Sequence, residues 1–479
     1  MAIEGPRFIV RTVELFERPV HLRLPFRFGV VTLTHCPQAF VRAQVALPNG
    51  RAAWGGAGEL MAPKWFDKNL QLTNEDNFDQ LRHALLAARQ AYLSDMRADT
   101  AFGHFARHHQ ALIDLGAAQG RNALVSCYGP ALLDRAILDA LCRALGLSFY
   151  DAVKSNTVGI DARLTPDLAG FDVGDFLASL SPAPSIEVRH TVGLLDAITA
   201  VDVREPVNDG LPETLADVVS ATGCRWYKLK VSGQVDADME RLTRIAAVLR
   251  RVSDARITLD GNEQFTDAQA AAAFWRRVMA TPALHQLAEQ VKYIEQPLAR
   301  AIALDSDVGA LAAMRPVLID ESDDTLQAFP RALELGYTGV SSKQCKGIYR
   351  SLLNAARCRQ RNGSKAVCFM SAEDLTTQAG LAVQQDLALV NLIGLTHVER
   401  NGHHYVNGFA GQGASPTEAA AFAQAQPGLY EPVEGGNVRL HVQAGRLDLR
   451  SLAAPGFAAS AQPDWASLPT LRKPTDAIP

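Results

Sequence analysis

Four short strings stand where apolar runs of the chain stop: Tyr-Lys-Leu-Lys (227–230), Leu-Asp-Gly-Asn (259–262), Ile-Glu-Gln-Pro (294–297) and Ile-Asp-Glu-Ser (319–322). Asp260, Glu295 and Asp320 close three successive runs, flanked by Asn262, Gln296 and Glu321. Hard carboxylate oxygens of this kind suit Mg²⁺, or Mn²⁺, with places left for water or a substrate carboxylate. A lone Asp there would read as a helix N-cap; three acids in series read as a ligand set. Lys228 and Lys230 lie two apart, so on a strand they share a face. Burying such a pair is costly without acids or an anionic substrate, and two crowded cations lower a lysine's pKa toward that of a usable base. Lys343 ends a later run, where it could work from the opposite side, and Lys346 reads as a cation at a helix start.

These residues need a frame that brings strand ends together. Candidate strands recur at Ile186–Thr191, Trp226–Val231, Arg256–Leu259, Val291–Ile294, Pro316–Ile319, Gly339–Ser342, Ala366–Phe369 and Leu395–Val398, with helical stretches between them. Met239, Leu242, Ile245, Leu249 and Val252 make one helical stripe, and residues 351–356 make another. Eight strands alternating with helices predict a TIM-type barrel, whose C-terminal strand ends share one mouth. A doubly wound sheet would fit less well, because no G-x-G-x-x-G follows the first strand. Upstream, residues 8–10 and 39–45 alternate like antiparallel strands around a Pro/Gly-bounded loop at 24–29, and Leu132 to Leu145 has helical period. The reading is an α+β domain over 1–150, a connecting region over 151–184, a barrel over 185–404 and a tail over 405–479 that packs back on the first domain. Within the tail, 438–442 and 447–449 predict a small hairpin.

With 479 residues the chain is long enough for two domains, and 48% apolar against 20% charged residues indicates a large core. A net charge of −4 without a basic run argues against nucleic acid, and no run of about 18 apolar residues suggests a membrane span. Seven scattered cysteines with no C-x-x-C pair fit reduced thiols, Cys345 and Cys368 as core residues included. With no secretory signal at the start of the sequence, the expected compartment is the cytoplasm.

Together the Lys-x-Lys, Asp-x-Asn, Glu-Gln-Pro, Asp-Glu-Ser and Ser-Lys-x-x-Lys-Gly (342–347) motifs resemble the enolase superfamily, nearest its muconate-lactonizing-enzyme-like subgroup. Asp134 to Leu141 resembles a helix of that family's capping domain. The resemblance implies an α/β fold, a modified TIM barrel (β/α)₇β with an N-terminal α+β capping domain. It implies Mg²⁺ on Asp260, Glu295 and Asp320, and removal of the proton α to a carboxylate to give a metal-stabilised enediolate. Lys230 then resembles the base on one face, Lys228 its electrostatic partner and Lys343 the acid/base of the second face. Two lysines favour racemisation or epimerisation of a small carboxylate. Syn β-elimination or cycloisomerisation, including acid-sugar dehydration, uses the same residues, and a barrel that binds without turnover is the non-enzymatic alternative. The mandelate-racemase-type dyad is missing, since Lys343 and Ser371-Ala372-Glu373 stand in its places, and His190 and His397 read as structural. Substrate contacts are expected from Phe26, Phe28, Thr32 and the Trp54–Glu59 segment of the cap, from Asn262, and from Glu399 at the eighth strand. Relatives imply a homo-oligomer.

Overall fold

The computed structural model describes residues 5–475 except Ser364 and Ala366. Strands β1 (Ile9–Phe28), β2 (Val31–Ala46) and β3 (Ala52–Leu60) form an antiparallel sheet in the order β1-β2-β3. Three helices cover it: α1 (Asn74–Ser94), α2 (Ala101–Ala118) and α3 (Ala123–Leu145). Their boundaries are chemical. Thr73 and Asp76 form a reciprocal capping box at α1, Asn122 caps α3, and Gly146 ends α3 in the left-handed conformation.

The segment expected as a loop at 24–29 is the end of β1, and the real connection is the turn Gly29-Val30. Pro25 is tolerated because it falls in the pairing irregularity between His21 and Phe26 on an edge strand. Likewise, Trp54–Glu59 lies within β3 and is not a mobile glycine loop. A Cβ on Gly55 would stand 2.1 Å from the Ala140 nitrogen of α3, so glycine is there to let helix and sheet touch.

The barrel strands are β4 (Ser185–Val192), β5 (Trp226–Lys230), β6 (Arg256–Asp260), β7 (Val291–Glu295), β8 (Val317–Ile319), β9 (Gly339–Ser342), β10 (Phe369–Ala372) and β11 (His397–Glu399). They pair parallel in sequence order, and β11 closes on β4. The seventh starts later than the expected 366–369. Asn362 Oδ1 accepts the Val367 and Cys368 amides, which holds that backbone in a turn, and Ala366 lies outside the described residues.

The expected tail hairpin does not form. Strand β12 (Tyr430–Pro432) pairs with β13 (Val438–Leu440), while β14 (Arg446–Asp448) pairs antiparallel with the start of β4. Further on, the tail returns to the cap: Leu471 donates to the Leu15 carbonyl, and the Trp465 ring lies 5.7 Å from Phe16. Arg18 of β1 pairs with Glu418 at 3.1 Å inside this contact. All seven cysteines are free and buried. Among the described residues no helix is long and apolar enough to cross a membrane.

Candidate active site

Period-2 alternation turns Arg189, Thr191, Lys228 and Lys230 into the barrel, where each meets side chains from other strands. Lys228 is 1% exposed and is ringed by carboxylate oxygens: Asp260 at 2.9 Å, Glu295 and Glu373 at 2.8 Å and Glu399 at 3.0 Å. Burial alone would lower its pKa, but the four acids outweigh burial and hold the ammonium well above the usual range. For Lys228 this reverses the lowering expected of a crowded cation, and it leaves that residue the fixed charge beside Lys230. Glu373, on β10's C-terminal side, also pairs with Arg189 at 2.5 Å and accepts the Ser371 hydroxyl at 2.5 Å. Arg189, Tyr293 and Ser371 thus replace the branched apolar residues usual in such barrels with a buried polar layer.

The other two lysines stand higher. Lys230 Nζ lies 2.5 Å from Asp260 Oδ2, and Lys343 Nζ lies 2.5 Å from Asp320 Oδ2. They come from the second and sixth barrel strands, β5 and the end of β9, which face each other across an eight-strand ring. Desolvation works against the Lys343 ammonium, yet Asp320 carries its pKa above the ordinary value. Lys346 is not a solvated helix-start cation. It is 3% exposed, bonds the Ser341 hydroxyl at 2.7 Å and pairs with Asp323 at 2.9 Å, so it braces the loop that carries Asp320.

The neighbours of the acids act as supports. Gln296 has φ 32°, and its side-chain oxygen accepts the Asp320 and Ser322 amides while its nitrogen donates to the Ser322 hydroxyl. That clasp fixes the β7 and β8 ends side by side. Asn262, at φ 41°, reaches the Glu321 carboxylate at 3.3 Å. Burial, with Asp320 next to it, pushes Glu321 up to about 7.

A cavity of about 20 Å³ lies over the lysines. Phe26, Phe28 and Trp65 reach it from the cap, and Lys230, Lys343, Asn262, Asp374 and Asn401 from the barrel. Room of that size holds about one water, so the mouth is shut. Phe28 and Asn262 therefore sit where substrate contacts were expected. Three other expected contacts do not. Thr32 accepts a bond from Arg27 beside the turn and does not line the cavity. Trp54 lies under the Arg42 guanidinium on β3. Glu399 is below the floor, engaged by Lys228, by the Thr191 hydroxyl at 2.6 Å and by the Asp374 amide at 2.9 Å. Sequence reasoning assigned no role to Glu373, although it follows an apolar run just as Glu295 does. Trp65 and Asn401 carried no comparable signal.

The strand-end acids can be tested against a divalent cation by their unspent acceptors. Asn262 Oδ1 and Glu321 Oε2 are buried without a hydrogen-bond partner, Glu295 Oε2 meets the Lys228 ammonium at 2.8 Å but accepts no well-aligned hydrogen bond, and all three are hard oxygens. Burial, with Asp260 and Glu373 crowding it, raises Glu295 well above the carboxylate range, a negative excess that a cation would relieve. The donor set fits Mg²⁺ in its chemistry. Its shell is not ready-made: among the described residues no three His, Cys, Asp or Glu side chains are arranged to hold a metal, because Asp260 and Asp320 are drawn onto lysines.

No protein-family profile and no curated protein matches the chain. Solved structures do. A dipeptide epimerase from Enterococcus faecalis V583, complexed with Mg and L-Leu-L-Tyr, is similar over 94% of this chain and 99% of its own, with TM-score 0.59 and 15% identity. An enolase from Bradyrhizobium, complexed with magnesium and mandelic acid, is similar over 96% and 97%, with TM-score 0.58 and 16% identity. A mandelate racemase/muconate lactonizing enzyme structure from Sorangium cellulosum is similar over 95% and 99%, with TM-score 0.55 and 18% identity. At these identities the likeness shows the fold alone: a TIM barrel capped by an N-terminal α+β domain.

Proposed function

We propose that this chain is a Mg²⁺-assisted acid–base enzyme that removes the proton α to the carboxylate of a small acid and returns one, by racemisation or epimerisation. One observation carries the reading: the ammonium groups of Lys230 and Lys343 enter one closed cavity from opposite strands of the barrel. A carbon held between them can lose a proton on one side and gain it on the other. Asp260, Glu295 and Asp320 would hold the cation, and a bound divalent ion supplies charge stabilisation for an enediolate. Lys228, held charged by its four acids, adds a fixed positive charge beneath the cavity. To act as a base, Lys230 must give up its contact with Asp260, and Lys343 its contact with Asp320. Engagement of those acids by a cation would release both. Structural neighbours support the reading, since epimerases with Mg are among them.

The test is α-proton exchange in D₂O with Mg²⁺, followed by proton NMR and chiral analysis. Wild type should wash deuterium into both enantiomers of an accepted acid. Lys343→Ala should exchange one enantiomer only and lose net racemisation by at least about 100-fold, the scale of one general acid–base group. Full racemisation by that variant would remove Lys343 from the mechanism.

A further inference from the structure

The corner that follows the end of β6 is bent in a way its residues would not choose alone. Asn262 and Glu263 stand one after the other in the left-handed region, at φ 41° and 68°. Asn visits that region readily and Glu does not, and such backbone persists only where its surroundings hold it. The bend serves the strand-end acids. It brings the Asn262 amide to Asp260 Oδ1 at 2.8 Å and sets the Asn262 side chain beside Glu321, its oxygen buried with no partner.

Glu263 is itself buried, and both its oxygens meet cations. Oε1 accepts the Arg300 amide at 2.6 Å and Arg300 Nε at 2.9 Å, while Oε2 meets Arg300 Nη2 at 2.8 Å and Lys68 Nζ at 2.7 Å. Both cations lead to the cap. Lys68 belongs to the cap segment between β3 and α1, and its ammonium also donates to the Asn262 carbonyl. Arg300 reaches the same segment from the barrel, donating to the Trp65 and Phe66 carbonyls at 2.8 and 3.0 Å. The Trp65 ring then covers the Lys343 ammonium at 4.4 Å. One buried carboxylate thus joins the bent corner, the cap segment and the ring over Lys343.

We propose that Glu263 is a positioning residue: through Lys68 and Arg300 it latches the cap segment 65–68 to the Asn262 corner, and so sets Asp260 for a divalent cation. The cation, though not the latch, rests on the reading above. Linkage makes the effect reciprocal: loosening the cap segment weakens the cation, and a bound cation tightens the cap segment. A latch differs in sign from a plain field effect. Removing a negative charge near a cation site weakens binding by its field, and removing a positive charge strengthens it. Breaking a latch weakens binding from either side.

Lys68→Met and Glu263→Gln in the full-length protein separate the two. Mn²⁺ titrated with electron paramagnetic resonance detection should bind at least about fivefold more weakly in both variants, the lower end of coupling between linked sites. Hydrogen–deuterium exchange should cross the gap. Lys68→Met should speed segment 261–265 and Glu263→Gln segment 64–72, each at least about fivefold, with α3 unchanged. If Lys68→Met does not fold, Lys68→Gln takes its place. An unchanged or tighter Mn²⁺ site in the Lys68 variant, or faster exchange confined to the substituted segment, overturns the inference. A wild type that binds no Mn²⁺ sinks the cation of the proposed function instead, and exchange across the gap then decides the latch on its own.

Discussion

At the residue scale, the site is organised around charges that neutralise one another. Asp260, Glu295 and Asp320 were legible from sequence because each directly ends an apolar run, and a strand end is where a barrel displays a side chain. The roles of their partners were less legible. Whether Lys228 is a base or a fixed cation depends on Glu373 and Glu399, which arrive from strands 145 and 171 residues away. The strand-end carboxylates give a direct prediction. Mn²⁺ titrated with electron paramagnetic resonance detection should find one site per chain, and Glu295→Gln should weaken it at least about tenfold, since a neutral amide replaces an anionic oxygen. The same variant should fold normally, because an amide lacks the charge that crowds Asp260 and Glu373. Unchanged Mn²⁺ affinity would take Glu295 out of the ligand set.

At the element scale, the barrel strands followed from rhythm, while the cap misled because glycine and proline have two meanings. Gly55 and Gly56 fell in a segment expected to touch substrate, yet they permit contact within the fold: Gly56 accepts from Gln385 at 2.7 Å and donates to Asp139 at 2.9 Å, tying β3 to both the barrel and α3. Gly55→Ala places a methyl against helix backbone that cannot swing away, so denaturant unfolding should show a loss of about 2–3 kcal/mol, in the range for overpacking. A loss below about 0.5 kcal/mol would mean that α3 does not seat so closely. Buried histidines make the elements pH-sensitive too. Desolvation lowers His109 on α2 and His190 on β4 to about 3. The unfolded chain takes up these protons near pH 6.5 and the folded chain does not, so stability is held above pH 6.5 and falls as pH drops toward 3. Each site contributes a slope of about 1.4 kcal/mol per pH unit below 6.5. Denaturant midpoints at pH 7, 6 and 5 should decline along that line, and His190→Phe should flatten it by one site's share. A midpoint indifferent to pH across that range would show that both rings find protons in the fold.

At the scale of the whole molecule, the question is how anything reaches a cavity of about 20 Å³. Roof and floor belong to different parts of the chain, so no local sequence window could have shown that they close on each other. Trp65 is anchored through Arg300, which leaves the end of β1 as the half of the roof that has to move. Its holding points are few. Arg27 accepts the Leu194 amide at 3.1 Å, and Phe26 leans on Tyr405. Arg23 makes the strongest of them: a two-pronged pair with Asp209 at 2.6 and 2.8 Å, plus bonds to the carbonyls of His404 at 3.0 Å and Pro212 at 3.2 Å. Charge-assisted bonds of this kind contribute about 1.5–3 kcal/mol. Arg23→Ala should therefore raise the frequency of opening at least about tenfold without unfolding the barrel. Hydrogen–deuterium exchange reads this directly: amides of residues 26–31 and of Leu194 should exchange about tenfold faster, while those of α3 stay as slow as in wild type. Uniform acceleration would instead report global destabilisation, and no change at 26–31 would mean that the way in lies elsewhere, past the Trp65 side. The same variant should let ligands on and off faster with little change at the lysines, because Arg23 contacts the barrel only at its rim.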